Sequence, residues 1–268
     1  MKKIANLQYV ATLIENFIDL FKKNLNKVKV KNKKHLELLI QNEIKTHGND
    51  CDLNHFDVSS IKDMSYLFNN SNFNGNISQW NTANVENMDK MFGGSRFNGD
   101  ISKWNTSSVT NMDCMFADSQ FNRDISNWDT KNVKTMMFMF ADSQFNGDIS
   151  SWNISQVHSM NGMFRGSKFD GDISKWDVRG VQEMNSMFAA SLFQGDLSNW
   201  APFSVRSWDY MLTDCPAPAP YWSNYENRHQ RSQAIKEYQN NLIQIINEKE
   251  ELERGLQSPQ AVRFVSKV

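Results

Sequence analysis

The chain has 268 residues, with 29 Lys and Arg against 30 Asp and Glu, a net charge of −1, 14 Met and 12 % aromatic residues. That balance argues against a strongly basic nucleic-acid binder, and three widely spaced Cys (Cys51, Cys114, Cys215) do not make a disulfide framework. The length suits one elongated domain with caps rather than several compact ones.

Residues 1–50 read as an N-terminal helix followed by a capping strand and helix. Ile4, Leu7, Ala11, Ile14, Ile18 and Phe21 recur at helical spacing. Glu15 and Asp19 interrupt what a signal peptide would keep apolar, so cytoplasmic retention is expected, with secretion or surface display as the alternative. No transmembrane run is present. "VKNKKHLELLIQNEI" reads as a strand then a helix that seals the first end of a stack. The region holds ten Lys against five acids, but its basic cluster lacks interleaved aromatics, so nucleic acid is not an expected partner. "HGNDCDLNH" spaces His47, Cys51 and His55 by four and four, yet Gly48, Asn49 and Asp50 break a helix there and no fourth ligand is evident. No metal and no cofactor is expected.

Residues 51–200 obey a fixed period of 24. Trp80, Trp104, Trp128, Trp152, Trp176 and Trp200 mark it, as do Phe68 to Phe188 and Phe73 to Phe193 in the same steps. The unit is F-N-G-D-I-S-x-W-[ND]-x-x-x-V-x-x-M-x-x-M-F-x-x-S-x. A period of this length signals a solenoid or related stack. Val109, Met112, Met115 and Phe116, at offsets 0, 3, 6 and 7, predict a short helix. Ile77, Ile101, Ile125, Ile149, Ile173 and Leu197, each between Asp or Asn and Ser, predict a short inward-facing strand. The expected fold is therefore an α/β repeat solenoid of about six right-handed 24-residue units, each one parallel strand plus one short helix, with helical caps at both ends. Met and Phe fill its core.

The unit "FNGDISKWNTSSVTNMDCMFADS" resembles the BspA-like leucine-rich repeats of bacterial and Mycoplasma surface proteins, over roughly Asn49 to Asp214. The resemblance implies a leucine-rich-repeat-like solenoid and a binding role, and is silent about the two ends.

Residues 201–223 read as a C-terminal capping unit stopped by "CPAPAP", since Pro cannot donate to a ladder. Residues 224–257 read as a long helix, and 258–268 as a tail. Ile235, Tyr238, Leu242, Ile245, Lys249, Leu252 and Leu256 form a stripe over 235–256 that either packs back on the repeats or supports weak self-association.

Candidate contact residues are those the core does not claim. Met137 and Phe138 occupy columns that read Asp89, Asp113, Asn161, Asn185 and Lys90, Cys114, Gly162, Ser186 in sister units. Such columns should face water, so either a terminal helix folds over the pair or a partner binds there with Phe138 as anchor. Asp100, Asp124, Asp148 and Asp172 form an acidic row, expected to be held by hydrogen bonds from its own Asn-Gly turns rather than by cations. Arg96, Lys103 and Lys175 add varied charge. With no phosphate-cradling loop, nucleophile elbow or paired Cys and His, the reading is a non-enzymatic scaffold for a protein partner. The alternatives are an inhibitor or immunity-type protein that occludes an enzyme, and a surface adhesion protein.

Overall fold

The computed structural model describes residues 27–256, so the predicted first helix and the tail lie outside the described residues. Most of the described chain is non-helical and is built from self-similar 24-residue units. Six parallel bridges link Asp63, Asn87, Asn111, Thr135, Ser159, Glu183 and Ser207 in one line. Aromatic rings repeat with the same step. Phe92 and Phe116 stack at 5.7 Å and 3°, and Trp128 and Trp152 at 6.4 Å and 3°. All six Ile and Leu residues of the Ile column and both Phe columns are buried.

The predicted short helix is corrected. Within Met112–Ser119, Met115 N–H bonds back to Met112 and Ala117 N–H to Cys114, three residues behind. The intervening N–H groups leave the unit instead. Those of Met112, Cys114, Phe116 and Asp118 donate to the carbonyls of Thr135, Met137, Met139 and Ala141 at 3.1, 2.8, 2.9 and 2.7 Å. Cys114 and Asp118 have φ of 52° and 56°. A residue in that left-handed region cannot continue an α-helix, but it is what the third position of a type II turn requires. The segment is therefore a pair of tight turns whose alternate N–H groups form a parallel ladder to the next unit. Inward offsets of 0, 3, 6 and 7 fit this geometry as well as they fit a helix.

The predicted strand at the Ile column is corrected too. The Ile101 carbonyl accepts from Trp104 N–H and from Trp128 Nε1, both at 3.1 Å. It is engaged by a turn and by an indole of the next unit, so no ladder runs there. The same indole bond recurs from Trp80 through Trp200. It satisfies the one polar atom of each buried Trp.

At the first end, β1 (Val28–Lys29) pairs in parallel with β2 (Phe56–Asp57). Helix α1 (Lys33–His47) starts at Asn32, whose side chain accepts from His35 N–H at 3.0 Å, and ends at Gly48 with φ 86°. It buries Leu36 and Ile40 in the common core. Lys33 Nζ bonds Asp63 and Ser65 of the first complete unit. At the other end a 3-10 turn (Tyr221–Asn224) leads into α2 (Arg228–Leu256). Arg231 is buried, lies 4.4 Å over the Trp208 ring, and donates to the Val205 and Tyr225 carbonyls. Ile235 is buried, and Tyr238 stacks on Tyr221 at 4.3 Å. Burial pushes the Tyr221 hydroxyl up to about 12. Beyond this anchor Ile243, Ile245, Ile246 and Leu252 are exposed.

Candidate functional site

Each unit enters the left-handed region twice, four residues apart. The second of these columns reads Asn70, Gly94, Asp118, Asp142, Gly166, Ala190 and Asp214. Apart from Ala190, these are the residues that take this conformation most readily. The first column reads Tyr66, Lys90, Cys114, Phe138, Gly162, Ser186 and Tyr210, with φ between 52° and 61°. Only Gly162 there suits the backbone. A bulky side chain at positive φ is an outlier that costs about 1–2 kcal/mol. Seven aligned positions thus share one strained geometry while their side chains differ in size, charge and polarity.

Three of those side chains are large and open to solvent: Tyr66 is 50 % exposed, Phe138 37 % and Tyr210 75 %. Lys90 Nζ sits 5.6 Å over the Tyr66 ring, a cation–π contact between neighbouring units. The Phe138 ring lies on Gly162. A Cβ added at Gly162 would fall within the van der Waals envelope of Phe138 Cδ1 and Cε1. The missing side chain of one unit is the seat of the ring from the unit before. Among the described residues no helix covers Phe138, the predicted first helix lying outside them, and the next unit seats one face of the ring. Met137 is half-buried. Its N–H donates to Asp113 Oδ1 at 2.7 Å, and its carbonyl accepts from Cys114 N–H. Burial pushes the Asp113 carboxyl up, against the bonds it accepts from Thr135 and Met137.

The acidic row lies in another segment of the unit. Asp100, Asp124, Asp148, Asp172 and Asp196 are exposed, and each accepts from the N–H of the Ser two residues on, at 2.8–2.9 Å. The partner is this Ser and not the Asn-Gly turn, which is a correction with a simple cause. An Asx turn closes forward, from the side chain to the N–H two residues ahead. Those backbone and hydroxyl bonds hold Asp100, Asp124, Asp148 and Asp172 below the ordinary carboxylate range. Beside the row the Asn side chains make their own ladder, Asn74 accepting from Asn98 N–H, Asn98 from Asn122 and Asn122 from Asn146.

Asp100 and Asp124 share a shallow groove with Arg123 and Asn98. Lys103 and Lys175 are exposed, and their charge helps depress Asp100 and Asp172 respectively. Arg96 faces a different groove, with Asp50, Asn72 and Gln120. Among the described residues no hydrogen bond joins the acidic row or Arg96 to Met137 and Phe138. The sequence reading singled out Phe138 but missed Tyr66 and Tyr210. Extending the register of its column by three units each way finds both.

Among the described residues no cluster of His, Cys, Asp and Glu fits a metal ion. Glu43 instead lies between His47 at 2.7 Å and His55 at 3.4 Å. Burial raises the Cys51 and Cys114 thiols. No helix among the described residues is long and apolar enough to cross a membrane.

Units that repeat every 24 residues and pair only with their neighbours define a repeat protein, with its variable chemistry on surface columns. The chain belongs to the family described as Mycoplasma protein of unknown function, DUF285, whose model matches residues 40–144 and again 117–225. No curated protein and no solved structure is significantly similar to it.

Proposed function

We propose that the stack is a solenoid, akin to the BspA-like leucine-rich repeats its motif resembles, and that it serves as a non-enzymatic scaffold for a protein partner. The carrying observation is the first left-handed column. Its backbone geometry favours Gly, Asn or Asp, yet Tyr66, Phe138 and Tyr210 stand there with exposed side chains and Lys90 with a half-buried one. Local strain accepted at solvent-facing positions is a mark of selection for contact rather than for folding. Tyr and Phe supply large contact area at low entropic cost, and the adjoining units hold their spacing fixed.

Photo-crosslinking residues placed at 66, 138 and 210, with Lys103 and Lys175 as off-column controls, test this reading. One protein captured from the column positions and not from the controls is the expected result. Partner capture unchanged by Tyr66→Asn, Phe138→Ser and Tyr210→Asn together would sink it. The row of ionised carboxylates from Asp100 to Asp196 favours a second reading, occlusion of a basic, nucleic-acid-binding enzyme. That reading requires a stoichiometric complex lost on Asp→Asn substitution along the row.

A further inference from the structure

The ladder has two ends, and they are finished differently. In the last pairing, Met184, Ser186, Phe188 and Ala190 donate to the carbonyls of Ser207, Asp209, Met211 and Thr213 at 2.8–3.0 Å. The residues in register one unit further on are Trp208, Tyr210, Leu212 and Asp214. Among the described residues no acceptor stands against their N–H groups, while Met211, Thr213 and Cys215 bond back within the turn as in every other unit. This unfinished row borders an open cleft of about 700 Å³, lined by Arg206, Trp208, Tyr210 and Leu212 together with Ser223 and Glu226. Trp208 and Leu212 are only partly buried, whereas Met184 and Phe188 in the same columns have no exposed surface. Both backbone donors and apolar cover are therefore left over at one place.

We infer that this edge is a docking site for a peptide segment of a partner protein, which adds one more rung to the ladder. Its chemistry is set by the rungs already built. The segment must present carbonyls at four alternate residues and an apolar side chain to cover Leu212, with a second four residues before it to complete the cover of Trp208, which Arg231 already overlies in part. Strand addition of this kind draws affinity from main-chain bonds and specificity from side-chain pockets. The matching carbonyl edge of a second copy, at Asp63, Ser65, Leu67 and Asn69, has α1 beside it, with Lys33 bonded to the side chains of Asp63 and Ser65, which disfavours a second copy as the source of the segment. The inference shares with the function proposed above only that the partner is a protein. Substituting Phe138 tests the surface column and leaves this edge intact, so the two can fail separately.

The test uses the full chain and a fluorescein-labelled peptide of its own residues 183–191, whose natural neighbour in the stack is this kind of edge. Peptide binding is read by anisotropy, and amide hydrogen exchange is followed at 208, 210, 212 and 214. In the free chain these amides should exchange faster than those of 184, 186, 188 and 190. Peptide should slow them by about tenfold or more. A peptide carrying Met184→Asn and Phe188→Asn should not bind, nor should the chain carrying Leu212→Asp, whose amides at 184–190 must stay protected to show that it folds. Free-chain amides at 208–214 already as protected as those at 184–190 would overturn the inference. Protection that rises with chain concentration alone would mean a second copy is the occupant and would also overturn it. So would absence of peptide binding at millimolar concentration, or binding unaffected by Leu212→Asp.

Discussion

Replacing Gly162 with Ala separates two costs that the structure places at one atom. The first is conformational: Gly162 has φ of 60°, and an L side chain there costs about 1–2 kcal/mol. The second is steric, because the new Cβ falls on the Phe138 ring. The ring is 37 % exposed and can swing outward rather than force the backbone apart. Leaving its seat would expose about 50 Å² of apolar surface, worth about 1 kcal/mol. Gly162→Ala should therefore cost about 2–3 kcal/mol in the native background, and about 1–2 kcal/mol when Phe138→Ser has removed the ring. The coupling, about 1 kcal/mol, lies within the range for side chains in contact. Urea titrations of the two single variants, the double variant and the parent close the cycle. An equal cost of Gly162→Ala in both backgrounds would show that the ring does not rest on Gly162, and the account of this column would fall.

Phe140 is fully buried between Phe116 and Phe164, so Phe140→Ala should cost about 3–5 kcal/mol, and a urea midpoint within error of the parent would refute the stacked core. The depressed carboxyls of Asp100, Asp124, Asp148, Asp172 and Asp196 contribute stability that is present above their unfolded value of 3.8 and is lost as pH falls through their lower folded values. Asp→Asn substitution along the row should flatten the melting curve's dependence on pH below 3.8, and an unchanged acid limb would contradict the Ser bonds. Asp113 runs the other way, since its raised carboxyl makes ionisation a burden on the fold above that value. Asp113→Asn, which keeps an acceptor for Thr135 and Met137, should be at least as stable as the parent at pH 7 and lose that advantage as pH falls towards 4. A chelator should leave the melting midpoint unchanged, and restoration of a lowered midpoint by calcium or zinc would show that a metal had been overlooked.

The period and the core were legible in the sequence because a 24-residue step puts the same residue types in line. Phe92, Phe116 and Phe140 need no structure to be seen as one column. Local geometry was not legible by the same route. Val109, Met112, Met115 and Phe116 satisfy the spacing of a helical face, and only hydrogen-bond direction distinguishes a helix from turns that donate across units. A signal was nevertheless present: the position two after each Phe from Phe68 to Phe188, and two after Leu212, reads Asn, Gly, Asp, Asp, Gly, Ala and Asp. A helix of these residues would be poor, while a turn needing positive φ calls for them. The Ile column misled for a related reason. Asp100, Ile101 and Ser102 alternate as a strand does, but the Asp closes an Asx turn on the Ser and the Ile carbonyl is taken by indole N–H groups.

The ladder also explains why the repeat keeps its length. Each N–H of the ladder reaches the residue 23 further on, and each indole from Trp80 to Trp200 reaches back 27, so both bonds depend on the same spacing. Inserting a single residue between Met112 and Trp128 would move these two sets out of register in the same unit. Every buried donor there would then face a mismatched neighbour, at about 1–3 kcal/mol for each group left unpaired. Side-chain substitution carries no such penalty from Tyr66 to Ser186 in the first left-handed column, because there the N–H and carbonyl stay bonded whatever the side chain is. A stack of this kind therefore has little freedom in length and considerable freedom at Tyr66, Lys90, Cys114, Phe138 and Ser186, while the Phe138 ring holds the next position to Gly162. That combination lets a surface change while the frame beneath it stays the same, and it is the physical ground for placing recognition on that column rather than on the bonded rows beside it.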